Sequence, residues 1–151
     1  MRSALGGVLV QDRDNRTDSA EDLHTVTATI PTPAQADDML FAAKVVKHCR
    51  SNAIVLAHAR TLCAAGVGQT SRVDSLRQAI AKAKAFGMPL DGAVMASDAF
   101  FPFGDCVQIA HEAGITAVIQ PGGSIRDHES VEYCDAHGLA MSMTGIRHFR
   151  H

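Results

Sequence analysis

Five short, mainly apolar runs limit what this chain can fold into: Ala53–Ala57, Leu62–Gly68, Gly92–Ala96, Ile115–Gln120 and Leu139–Met143. Each has the length of a strand and is bounded by polar residues, glycine or proline. Helical stretches separate most of them. Ser71–Phe86 is rich in alanine and lysine and stops at Gly87 and Pro89, Asp105–Ala113 follows the third run, and Arg126–His137 is closed by Gly138. A further helix is expected over Ala34–Cys49, where Ala36, Met39, Leu40, Ala43 and Val45 or Val46 recur at helical spacing after a cap region at Thr32; Ser51–Asn52 ends it. Strands that alternate with helices, and are apolar along their length, predict an α/β fold: a three-layer α/β/α sandwich with helices on both faces. Residues 1–33 read as irregular, with one short edge strand possible over Gly6–Gln11.

Composition narrows the function classes. With 151 residues the chain is long enough for one domain with a substantial core. A net charge of −2, with the signs scattered, argues against a nucleic-acid or membrane-surface role. No apolar run approaches the ~20 residues of a membrane span, and the first residues lack the apolar stretch of a signal peptide, so the cytoplasm is the expected location. Cys49, Cys63, Cys106 and Cys134 are widely spaced, which predicts free buried thiols and no zinc site.

Three polar segments follow strands in this reading: Ser97–Asp98, Pro121–Ser124 and Gly145–His151. Ligands of open α/β sheets gather beyond the carboxyl ends of strands, so the three segments point to one shared site. Pro121-Gly122-Gly123-Ser124 lets backbone approach an anion at a helix start, although Ser124 reads equally as an ordinary cap. Asp98 follows a buried strand and must find a partner there, while Asp105 has a simple reading as a helix cap. Phe100, Phe101 and Phe103 are either core or cover for a ring-shaped ligand. Gly66–Arg72 joins flexible backbone to hydroxyls and a guanidinium suited to carboxylate or phosphate, or is a capped helix start with Arg72 in solvent. Arg147, His148, Arg150 and His151 form a basic tail, and the apolar Ile146 and Phe149 between them favour docking over fraying. The other histidines, His24, His48, His58, His111, His128 and His137, show no metal spacing and read as surface residues. Together the segments suggest an anionic, planar small molecule.

Ser51–Val55, Gly66–Arg72, Ala96–Phe103, Gln120–Asp127 and Arg147–His151, in this order, resemble the C-terminal part of the bifunctional purine-biosynthesis family that joins AICAR formyltransferase to IMP cyclohydrolase. The resemblance runs from Gly6 to His151. It implies the second subdomain of a cytidine-deaminase-like formyltransferase region, with the cyclohydrolase domain and the first formyltransferase subdomain absent from this sequence. The deaminases' zinc signature is also absent. By the same resemblance, Asn52 would orient the AICAR carboxamide or the reacting formyl group, and Arg72, Arg147 and Ser124 would lie on the nucleotide or its phosphate side. Phe100 and Phe103 would pack around the heterocycle and 10-formyltetrahydrofolate, and Asp105 would serve the pterin. His151 would be an auxiliary polar group, and Asp98 would help hold a structural potassium ion.

The sequence departs from the family pattern at two places. The Lys-His pair that supplies the proposed base belongs to the first subdomain, and Lys47-His48 is not that motif. Gly104 stands where the family usually has arginine. Formyl transfer from 10-formyltetrahydrofolate to the 5-amine of AICAR needs a proton acceptor and an oxyanion stabiliser. This sequence offers anion clamps without a convincing base. The implied function is therefore a formyltransferase subdomain that works with a partner half, in a homo-oligomer or with a separate chain. A truncated paralogue that binds purine nucleotide or folate without turnover, or only supports assembly, is the alternative.

Overall fold

The computed structural model describes residues 1–151. In chain order the elements are β1 (Arg2–Ala4), β2 (Gly7–Leu9), β3 (His24–Thr25), α1 (Pro33–Val46), β4 (Ile54–His58), β5 (Thr61–Gly66), α2 (Arg72–Ala85), β6 (Val94–Ser97), α3 (Asp105–Glu112), β7 (Ala117–Gln120), α4 (Asp127–His137) and β8 (Ala140–Met143). Six strands form one mixed sheet in the order β3-β8-β7-β6-β4-β5, with β6, β7 and β8 parallel and the other pairings antiparallel.

Side chains alternate across a strand, and here both sides are buried. Ile54, Leu56, Met95, Val118 and Met141 enter one core with α2, α3 and α4. Val55, Ala57, Val94, Ala96, Ala117, Ile119 and Ala140 enter the other, against α1 alone. The result is the expected three-layer α/β/α sandwich, with three helices on one face and one on the other.

Local chemistry fixes the elements. Thr32 and Gln35 form a reciprocal cap on α1, and Pro33 opens its first turn. Ser71 accepts from the Asp74 amide at the start of α2. The β4–β5 hairpin turns through Ala59 and Arg60, both in the left-handed region. The buried Asp38 carboxylate accepts from both of their amides, at 2.8 and 2.6 Å, which offsets the cost of that backbone for non-glycine residues. Gly66 is required by contact: a Cβ there would lie 1.8 Å from the Ser75 carbonyl oxygen.

The first 33 residues are less irregular than the sequence suggests. The edge strand expected over Gly6–Gln11 is β2, but it pairs with β1 in a separate hairpin. The two residues of β3, placed antiparallel to β8, are too few to carry a periodic signal.

Candidate functional site

The parallel strands β6, β7 and β8 end at Ser97, Gln120 and Met143 on one edge of the sheet. Because β4 runs antiparallel to β6, with Ile54 opposite Ser97, its amino end meets that edge, and so does the carboxyl end of β5. Topology therefore brings Ser51–Asn52, Gly66–Arg72, Asp98–Phe103, Pro121–Ser124 and the C-terminal segment to one rim. Backbone hydrogen bonds join them: Asn52 to Gln69, Asp98 to Ala53, Gly145 to Pro121, His148 to Asp98 and Ser51 to Arg150.

A buried charge network lies at the centre of the rim. Arg72 donates from Nη2 to Asp98 Oδ1 at 2.8 Å and to Asn52 Oδ1 at 3.0 Å, and from Nη1 to the Phe100 carbonyl at 3.1 Å. The ion pair is almost fully buried. Asp98 Oδ1 also accepts from the Ala53 amide. Asn52 Nδ2 donates to the Gln69 and Thr70 carbonyls. Asp98 has thus found the partner that its burial demands, and Arg72 is not in solvent. Two polar atoms stay buried without a partner, Arg72 Nε and Asp98 Oδ2.

The aromatic run divides. Phe101 is fully buried in the core, and its amide donates to the side chain of Gln120, a buried glutamine at the end of β7. Phe100 is half-buried, while Phe103 is 49% exposed and lies under the Arg126 guanidinium at 5.0 Å. That contact sets Phe103 beside the loop that holds the half-buried Ser124, with the exposed Asp105 two residues on. Asp105 is the first residue of α3, and the cap position is Gly104, not Asp105. Ser124 is not the cap of α4 either. Its Oγ accepts from the Arg126 amide, and Asp127 Oδ2 takes the Gly123 and Ser124 amides at 2.7 and 3.1 Å. The amides expected to cradle an anion are met by an internal carboxylate. Gly122 has a positive φ, and a Cβ there would press on the Met143 sulfur at 2.7 Å.

The C-terminal segment docks. His148, within the tail expected to dock, is buried between two aspartates: Nδ1 lies 2.6 Å from Asp14 and Nε2 2.9 Å from Asp18. Burial opposes its charged form, but the hydrogen bonds and charges of Asp18 and Asp14 outweigh it and hold the imidazole above its usual range. Asp14 is itself held low: burial works against this, and the His148 bond and charge, the Arg16 amide and Lys47 prevail. Arg147 is exposed and stacked on Phe149 at 4.7 Å. His151 is exposed, with its amide on the Gln11 side chain. Arg13, Lys47, Phe149, Arg150 and His151 line an open cleft of about 1000 Å³ beside the N-terminal hairpin.

A family model for the AICARFT/IMPCHase bienzyme matches residues 1–82. The chain belongs to this family. It is 63% identical over 150 residues to the bifunctional purine biosynthesis protein PurH of Bacteroides thetaiotaomicron, covering 99% of this chain and 30% of that protein. It is 54% identical over 151 residues to that of Aquifex aeolicus, covering 100% of this chain and 29% of the relative. The chain thus spans about 30% of the length of these relatives. Among solved structures, a diaminohydroxyphosphoribosylaminopyrimidine deaminase/5-amino-6-(5-phosphoribosylamino)uracil reductase from Thermotoga maritima superposes with a TM-score of 0.48 at 21% identity, covering 68% of this chain and 33% of that one.

Set against the AICARFT/IMPCHase expectations, the site residues fall into three neighbouring groups. Asn52, Arg72, Asp98 and Phe100 form the buried network; Phe103, Asp105 and Ser124 lie toward α3 and α4; Arg147 and His151 belong to the docked tail. Sequence reasoning missed Gln120, Asp127, Asp14 and Asp18. The one signal for the last two was an acidic stretch near the start facing a basic tail at the end. For the potassium ion that the family resemblance implies, the orphan Asp98 Oδ2 is a fitting ligand, since it is buried, anionic and unpartnered. All four cysteines are free, and burial pushes the Cys106 and Cys134 thiols up to about 12. Among the described residues, no helix is long and apolar enough to cross a membrane.

Proposed function

We propose that this chain acts as the second subdomain of an AICAR formyltransferase in purine biosynthesis, and supplies the nucleotide- and folate-orienting half of a site completed by a partner half. The observation that carries this reading is the meeting, on one sheet edge, of the Asn52–Arg72–Asp98 network, the Phe103–Ser124 surface and the basic tail.

In this reading the 5-amine of AICAR attacks the formyl carbon of 10-formyltetrahydrofolate. A new carbon–nitrogen bond forms, the carbonyl electrons move to oxygen, and the bond to N10 of the folate breaks as that oxyanion collapses. The amine's proton leaves to a base on the partner half, and N10 takes up a proton as it departs, so that no net proton is gained or lost. Asn52, whose amide orientation is set by Gln69, Thr70 and Arg72, presents one lone pair of Oδ1 to the carboxamide. Arg72 acts mainly by holding Asn52 and the Phe100 carbonyl in place, and Nε is its free donor. Arg147, with its guanidinium edge open above Phe149, pairs with the phosphate. Phe103 and Ser124 face the folate, with Asp105 on the pterin side. Asp98 Oδ2 would be a ligand of a potassium ion, whose part would be structural. His151 remains an auxiliary group at the tail.

Complementation tests the reading. Mixing this chain with a separately produced chain that carries the Lys-His half should restore formyl transfer to AICAR, with neither chain active alone. A stable mixed complex with no turnover would favour the non-catalytic binding reading instead.

A further inference from the structure

Residues 145–151 contain no helix or strand, yet two arginines, two histidines and a phenylalanine follow one another there along the sheet edge. A segment of that kind frays unless it is tied. Its backbone is tied at intervals: the Gly145 amide to the Pro121 carbonyl at 2.9 Å, the His148 amide to the Asp98 carbonyl at 2.9 Å, the Ser51 amide to the Arg150 carbonyl at 2.8 Å and the Arg150 amide to Ser51 Oγ at 2.9 Å, with the Gln11 side chain on Phe149 and His151.

Two side chains of the segment tie it as well: Arg150 donates from Nη1 to the His48 carbonyl at 2.8 Å, and His148, the buried one, bridges two aspartates. Both ring nitrogens lie within hydrogen-bond distance of carboxylate oxygens, so the ring bridges Asp14 and Asp18. Asp18 is as buried as the ring, and its other oxygen has no partner, so its charge is committed to His148. Asp14 is more open and also receives the Arg16 amide. The bridge therefore joins residues 14–18 to the tail across the whole length of the chain. His148 is buried, while Arg147 before it is exposed and Phe149 after it is half-buried.

We propose that His148 is a positioning residue: by bridging Asp14 and Asp18 it holds the basic C-terminal segment so that Arg147 is presented to the anionic group of the bound nucleotide. The choice of ligand rests on the reading under Proposed function; the clamp itself does not.

The test uses the whole chain with His148→Gln, and Asp14→Asn as the milder second variant should the first fail to fold. Amide hydrogen exchange at one pH should show the Ser51, His148 and Arg150 amides losing protection at least ~10-fold, with amides of β6 and β7 within ~2-fold of wild type. Calorimetry with AICAR should show that Arg147→Ala weakens binding in the wild-type background but adds nothing in the His148→Gln background, the non-additivity of two residues that act as one unit. Unchanged tail protection, equal loss in the core strands, or an Arg147→Ala effect of the same size in both backgrounds overturns the proposal. A loosened tail in a chain whose wild-type form binds no AICAR would instead refute the proposed function and leave the clamp standing as a tether.

Discussion

Two charge networks close the same sheet edge by different means. The Arg72–Asp98 pair lies under the rim and links β4, α2 and β6 through a buried guanidinium–carboxylate contact. The His148 bridge lies between the two ends of the chain and rests on an imidazole whose pKa its two aspartates hold above the usual range. The first pairing suits a frame that must not move. The second suits a segment that carries ligand-facing cations and has little backbone structure of its own. Both lie on one edge, and the second gives that edge a dependence on pH.

The comparison breaks most readily at Asp98. Replacing Asp98 with Ala leaves a buried guanidinium without its counter-charge, and the expected loss is about 3–5 kcal/mol in a chemical denaturation series. Adding Arg72→Met should recover part of that loss. A cost under ~1 kcal/mol would mean that water, not Asp98, satisfies Arg72.

The His148 bridge should be worth less, on the order of 1–3 kcal/mol on His148→Gln. Its signature is the pH profile. A raised histidine contributes fully below its ordinary 6.5, and that contribution disappears as pH climbs through the raised value. The lowered Asp14 contributes fully above its ordinary 3.8 and is lost as pH falls through the lowered value. The wild-type advantage over His148→Gln should therefore be greatest between those two values and shrink on either side. A difference that stays constant as pH climbs well above 6.5 and falls well below 3.8 would mean that the bridge does not depend on the charges of His148 and Asp14.

How far these networks could be read in the sequence follows from the same physics. The central strands and helices were legible because burial on both faces leaves uninterrupted apolar runs, as in Ile115–Gln120 and Leu139–Met143. Asp98 was legible as a charge in need of a partner, but its choice of Arg72 was not, since α2 and β6 meet only through the fold. His148 was hidden for a related reason. Its partners lie more than a hundred residues away in an acidic stretch that reads as solvated loop, and local pattern carries no information about such pairings. Asp127 was passed over because Ser124 has the better cap propensity, yet the turn geometry gives the amides to the aspartate.

Smaller effects sharpen the contrast between frame and ligand-facing surface. Asp127→Ala should cost about 0.5–2 kcal/mol through the lost bonds to Gly123 and Ser124, seen as a lower denaturation midpoint. Phe103→Ala, at a position 49% exposed, should change stability by no more than about 0.5 kcal/mol while weakening 10-formyltetrahydrofolate binding to the complemented enzyme. A large stability loss there would make Phe103 part of the core.

The central claim is that the docked tail and the buried network form a nucleotide half-site. Arg72→Ala tests it poorly, because the substitution strands Asp98 and weakens the frame. Arg147 is exposed and unburdened, so calorimetric titration of AICAR into the wild-type chain and Arg147→Ala is the direct measurement. The account predicts binding in the range of about 1–100 μM, weakened at least ~10-fold by the substitution. A folded wild-type chain that shows no heat of binding, or one indifferent to Arg147→Ala, would contradict it.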